Sequence, residues 1–132
     1  MYMEVCLDTN VFRDEHNKRF FQWLRHKKIK AYVPAVSYQE LSYHEIRKFG
    51  STAKLDSWLN AEDITVAPFT QDQARIASIG ARQRGDFKEN ARDYAIGAFA
   101  VESKMMMITN NKKHFNWIMD VYTPAEIMEK YP

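Results

Sequence analysis

The chain is poor in the residues that staple, break or anchor a protein. It has one cysteine, four glycines and four prolines in 132 residues. A single Cys6 excludes a disulfide framework within the chain and suits a reducing compartment. Lying inside an apolar run, its thiol is expected to serve as a small buried hydrophobe. No hydrophobic stretch approaches the roughly 20 residues of a membrane span. The N-terminus has no charged start followed by the apolar segment of a signal peptide, so a cytoplasmic protein without a membrane anchor is expected. There is no internal repeat, low-complexity tract or linker. The four histidines, His16, His26, His44 and His114, show no H-x-x-x-H pairing, which argues against zinc. Charge is also scarce in net terms: +2 is too mild to demand a nucleic-acid partner and is compatible with one.

What is present is the composition of a compact globule, 45% hydrophobic and 14% aromatic. The length predicts a single domain over 1–132 with its own core. Apolar runs at 3–7, 29–33, 64–69, 105–108 and 119–122 read as strands. Between them lie helical patterns at 17–28, 35–49, 51–59, 70–84 and 91–104, with a last one at 124–130. The helix over 17–28 presents Phe20, Phe21, Trp23 and Leu24. The next is expected to bury Val36, Leu41 and Ile46 and to end at Gly50. Thr70 followed by Gln73 is a capping-box pattern opening a small-residue face of Ala74, Ile76, Ala77, Ile79 and Gly80. Residues 85–90 read as a polar loop, and the helix after it carries Ala95, Ile96, Ala98, Phe99, Ala100 and Val101. Strands alternating with helices predict an α/β class: a parallel, roughly five-stranded central sheet in a three-layer α/β/α sandwich.

Two of the apolar runs end alike. Met3–Leu7 drives into Asp8-Thr9-Asn10, and Met105–Ile108 into Thr109-Asn110-Asn111. Asp8 has two readings, a cap for the following helix or a carboxylate held at the sheet's carboxyl edge, where open α/β sheets collect ligands. If the two strands neighbour each other where strand order reverses, Asp8 and Asn111 face one crevice. Glu40, an acid on an apolar helix face, and Asp93, near a helix start, are placed to join them.

Four motifs in order make the sequence resemble the PIN domain family: Leu7-Asp8-Thr9-Asn10; Ser37-Tyr38-Gln39-Glu40-Leu41; Ala91-Arg92-Asp93-Tyr94-Ala95-Ile96-Gly97-Ala98; and Ile108-Thr109-Asn110-Asn111, followed by Lys112-Lys113-His114-Phe115. The resemblance covers essentially the whole chain. It implies a metal-dependent ribonuclease like the VapC toxins, with RNA as substrate, Mg2+ or Mn2+ as cofactor, an antitoxin protein as partner, and a homodimer. Carried over by position, Asp8, Glu40, Asp93 and Asn111 are the catalytic set. Asp8 and Asp93 bind the metal directly, and Glu40 holds a water at it or serves as general base. Thr9, Asn10, Arg92, Lys112 and Lys113 face the substrate.

Elementary chemistry agrees with that assignment. Mg2+ takes oxygen ligands, commonly one or two carboxylates, and keeps several waters. Carboxylates gathered without a cation repel one another by several kcal/mol at close range, on the order of a Coulomb estimate at intermediate dielectric. Asn111 departs from the family pattern, being neutral where a fourth acid is common, which removes one charge and puts a second metal in question. Asp86 and Glu89 are alternative contributors to the third acid. Arg13, Arg82, Arg84 and Lys88 are further basic residues for an RNA backbone, although most such charges are simply solvated. For His114 a plain loop or surface role is expected.

Two other readings remain open. One is a PIN-fold module that binds RNA or protein without turnover, favoured by Asn111. The other is a phosphoryl-transfer enzyme of the haloacid-dehalogenase type, which requires a second Asp two positions after the first, where this chain has Asn10.

Overall fold

The computed structural model describes residues 3–13 and 17–132; His16 lies outside them. Five strands form one parallel sheet: β1 (Glu4–Leu7), β2 (Lys30–Pro34), β3 (Ile64–Ala67), β4 (Met106–Ile108) and β5 (Val121–Tyr122). Their spatial order is β3-β2-β1-β4-β5. Chain order runs outward from β1 on one side and from β4 on the other, so the order reverses between these two neighbours. Val5 pairs with Met106, Cys6 with Met107 and Leu7 with Ile108, which sets both strand ends level.

Strand periodicity of two divides the core. Val5, Leu7, Val33 and Ile108 point to one face. There they meet Phe20, Phe21 and Leu24 of α2 (Lys18–Lys27), Leu41 of α3 (Ala35–Phe49), Leu59 of α4 (Ala53–Ala61) and Ile127 of α7 (Pro124–Lys130). Cys6 and Met107 point to the other face. They pack on Ile96, Phe99 and Ala100 of α6 (Phe87–Ser103), with Phe115 and Ile118 from the segment after β4. Helix α5 (Gln71–Arg84) lies outside α6, joined through Ala77, Ala81, Tyr94 and Ala98. This is the expected α/β/α arrangement.

Several local expectations change. A short helix α1 (Thr9–Arg13) follows β1 directly. The expected loop at 85–90 is partly helical: α6 begins at Phe87, and Asn90 (φ −131°, ψ 20°) kinks it before the main run. Asp86 makes that extra turn possible, since its carbonyl accepts from the Asn90 N–H (3.1 Å) and its carboxylate from Asn90 Nδ2 (2.8 Å). Thr70 caps α5 by accepting from the Gln73 N–H at 3.2 Å, but the Gln73 side chain donates to Glu102 (3.0 Å) rather than returning to the cap. The full capping box is at α7, where Thr123 and Glu126 satisfy each other's backbone N–H groups. Ile46, Ile79 and Val101 lie on outward faces rather than in the core.

Candidate active site

The site grows from the reversal point between β1 and β4. The Asp8 N–H donates to the Ile108 carbonyl (3.0 Å) and the Thr109 N–H to the Tyr122 carbonyl (3.0 Å), so the ladder pins both residues just past their strands. Alternation places Asp8 in phase with Cys6, and Thr109 in phase with Met107, on the α6 face. Asp8 is buried there, 3% exposed. One carboxylate oxygen accepts from the Thr9 N–H at 2.7 Å and the other from Thr109 Oγ1 at 2.8 Å. Asp8 therefore does engage the start of α1, and it is also locked to the neighbouring strand's exit.

Asp93 comes from the first turn after the α6 kink and is likewise buried. A helix start favours a carboxylate through its free N–H groups and dipole. One Asp93 oxygen pairs with Arg92 (3.2 Å); the other accepts from His114 Nδ1 at 2.8 Å. Burial pushes the Asp8 carboxyl above its ordinary range, and the Asp93 charge adds to that. The hydrogen bonds from Thr109 and Thr9, and the Arg92 charge, work in the opposite direction. Asp8 and Asp93 thus sense each other across the crevice.

Glu40 stands on α3, its side chain 23% exposed, and reaches the same place through a cation. Arg92 Nη1 donates to Glu40 Oε1, and Arg13 lies 3.9 Å from Glu40 Oε2. Burial works against the Arg92 charge, but Glu40 and Asp93 outweigh it and hold the guanidinium firmly protonated. Among the described residues, no three His, Cys, Asp or Glu side chains close into a ready metal cage. A Mg2+ ion needs only one or two carboxylates with waters for the rest. The all-oxygen pair Asp8 and Asp93, buried and mutually repulsive, fits such an ion. Thr9 Oγ1 beside them is buried with no hydrogen-bond partner among the described residues, a position that water or a ligand would satisfy.

The other expected residues divide by what they touch. Asn10 stitches the two polar loops together: its Oδ1 accepts from the Asn110 N–H (3.1 Å) and its Nδ2 approaches Thr109 Oγ1 (3.5 Å). The Asn111 N–H donates to the same Thr109 hydroxyl at 3.0 Å. Lys112 pairs with Glu126 of α7 (3.1 Å), and Lys113 is exposed. Asp86 is engaged elsewhere, bonded to the Tyr94 hydroxyl and held below the usual carboxylate range first by that bond. Glu89 is exposed. Two contributors fall outside the expected set. Thr109 is central because three polar groups meet at its hydroxyl, and its signal in the sequence is the echo of Thr9-Asn10 after β4. His114, expected as a surface or loop residue, instead orients Asp93; a lone histidine twenty-one positions away carries no spacing signal for that.

A family model described as "PIN domain" matches residues 5–117, which takes in all four motifs. The chain belongs to the PIN domain family. PIN domains are generally nucleases. A toxin–antitoxin complex from Klebsiella pneumoniae contains a similar chain at 21% identity and TM-score 0.71, covering 92% of this chain and 98% of that one. VapBC2 from Rickettsia felis, bound to a DNA fragment from its promoter, gives 18% identity and TM-score 0.68 with the same coverage. FitAcB from Neisseria gonorrhoeae gives 22% and 0.61, again covering 92% and 98%. At these identities the likeness carries the PIN fold itself. A sequence comparison with curated proteins finds no match. No helix among the described residues is long and apolar enough to cross a membrane.

Proposed function

We propose that this PIN domain is a metal-dependent endoribonuclease, using Mg2+ or Mn2+, and acts as the toxin of a toxin–antitoxin pair. The observation that carries the reading is the buried pair Asp8 and Asp93 at the point where strand order reverses. Two like charges held in one water-poor crevice cost stability unless a cation is their partner. A bound divalent cation supplies an activated nucleophile and neutralises charge on the attacking and leaving oxygens of the phosphodiester.

The chain's own residues supply the rest. Asp8 and Asp93 hold the cation, each oriented by a second group: Thr109 and the Thr9 N–H for Asp8, and His114 for Asp93. Glu40, half-buried on α3, is positioned as the general base or water-holding group. Thr9, Asn10 and Asn111 line the polar exit loops of β1 and β4 around the scissile phosphate. Arg92, Lys112 and Lys113 meet the RNA backbone. The neutral Asn111 favours one cation over two.

An antitoxin partner is supported by the neighbours, which are toxin–antitoxin complexes. A homodimer, a cytoplasmic site of action and a single functional domain over 1–132 complete the proposal. Incubation of the purified chain with labelled RNA tests the catalytic reading. Cleavage dependent on Mg2+ or Mn2+ and lost in Asp8→Asn is expected. Tight RNA binding without cleavage in either metal would replace it with the second reading, a PIN-fold binding module, which Asn111 favours.

A further inference from the structure

The most singular contact in the site is a cation that the chain provides itself. Arg92 projects from the first turn after the α6 kink, bonded to Glu40 on one side and 3.2 Å from Asp93 on the other. Its charge also reaches Asp8. A guanidinium has a planar fork of five donors and can serve two carboxylates at once. Two carboxylates from two helices thus share one positive group, with Asp8 within reach of its field.

We propose that Arg92 is a displaceable internal counter-ion: in the free chain it neutralises Asp93, one of the two acids that would hold the metal, together with Glu40 beside it, and it swings out when a divalent cation enters. This rests on the metal-dependent reading above and concerns how metal entry is controlled.

Three features make the exchange feasible. Over half of the Arg92 side chain is exposed, so it can rotate into solvent without crossing the core. Arg13 already stands 3.9 Å from Glu40, so that acid keeps a positive neighbour when Arg92 leaves. Asp93 keeps its orientation through His114, which holds the oxygen that Arg92 does not. The half-exposed pairs are individually weak, so Arg92 taxes cation affinity without blocking it. Once out, the guanidinium is free at the mouth of the crevice to meet a phosphate. Metal entry and the presentation of a substrate-facing cation are then one event.

The test is calorimetric titration of Mn2+ into the wild type, Arg92→Gln, Arg92→Lys, Arg13→Gln and Asp8→Asn, with folding checked by circular dichroism. Removing the competing group should tighten Mn2+ binding roughly three- to tenfold in Arg92→Gln, because affinity is reduced by the fraction of sites already filled. Arg92→Lys should tighten it less, since an ammonium cannot span both carboxylates equally. Arg13→Gln should change it by less than roughly twofold, the scale of an exposed pair. Binding should be lost in Asp8→Asn. The melting temperature of Arg92→Gln should fall more in the metal-free state than when saturated with Mn2+. An unchanged or weaker Mn2+ affinity in Arg92→Gln, with the wild type binding normally, overturns the exchange and leaves the proposed function standing. So does equal tightening in Arg13→Gln, which would show a long-range charge effect. If neither the wild type nor Arg92→Gln binds Mn2+, the metal-dependent reading falls and this inference with it.

Discussion

Thr109 donates its hydroxyl to Asp8 at 2.8 Å across a separation of 101 residues. The same oxygen accepts from the Asn111 N–H, so one small side chain ties the exits of β1 and β4 together. Removing it in Thr109→Val leaves a buried carboxylate oxygen and a part-buried N–H without their partner. Loss of about 1–3 kcal/mol is expected from such orphaned groups, read by urea denaturation. RNA cleavage should fall as well, and Thr109→Ser should restore both. A loss confined to Thr109→Ser, with Thr109→Val unchanged, would point to the methyl group rather than the hydroxyl.

Asp8 has a pH signature. Burial, reinforced by Asp93, raises its carboxyl above the ordinary range, so the folded chain holds this proton more tightly than the unfolded one. Its contribution is therefore fully present below the ordinary aspartate value of about 4 and is lost as pH rises through the raised value. In the metal-free protein, Asp8→Asn should be relatively more stable at neutral pH, by roughly 2–5 °C in melting temperature. It should lose that advantage at low pH, while being inactive at every pH. Mn2+ should narrow the difference by stabilising only the wild type. Parallel melting curves from pH 4 to 8 check this; a neutral-pH advantage that is absent would mean the Asp8 charge is already compensated.

The layer arrangement was legible because period-two and helical patterns state which face of each element is apolar. The two polar exits after 3–7 and 105–108 announced where the site lies. Whether those strands touch is a long-range fact, and only the observed β1–β4 pairing makes the echo a single crevice. Ile46 and Ile79 fall outside the core that their spacing suggests because helical spacing alone does not say how wide the buried stripe is. The kink at Asn90 was hidden because Gly85 and a polar run mimic a loop, while Asp86 supplies hydrogen bonds that let one helical turn form. The sequence next to Asp93 points Arg92 toward substrate, whereas its bridge to Glu40, fifty-two residues away, depends on how α3 and α6 lean together.

Gly97 carries a packing constraint. A Cβ there would sit 2.6 Å from the Trp117 ring and 2.7 Å from the Ile118 side chain, where the segment after β4 crosses α6. Gly97→Ala should therefore destabilise the chain by about 1–3 kcal/mol despite alanine's better helix propensity. Asp93 lies one turn before Gly97 and His114 three residues before Trp117, so the displaced contact should also loosen the Asp93–His114 pair. Pairing Gly97→Ala with Trp117→Leu should recover part of the stability. If Gly97→Ala alone is neutral in denaturant titration, the partly buried indole is free to shift aside.

His114 can be separated from a passive surface residue by the geometry of its replacements. Asp93 accepts from Nδ1, the ring nitrogen nearer the backbone, at 2.8 Å. Asparagine places an amide nitrogen near that position, whereas glutamine places one near Nε2 instead. His114→Ala should weaken Mn2+ affinity and RNA cleavage by roughly 10- to 100-fold, the usual cost of losing a group that orients a metal ligand. His114→Asn should retain most of both, and His114→Gln should resemble alanine. Titration of Mn2+ alongside a cleavage assay distinguishes the cases. Glutamine rescuing where asparagine does not would show that the distal nitrogen matters, placing His114 on the substrate rather than on Asp93.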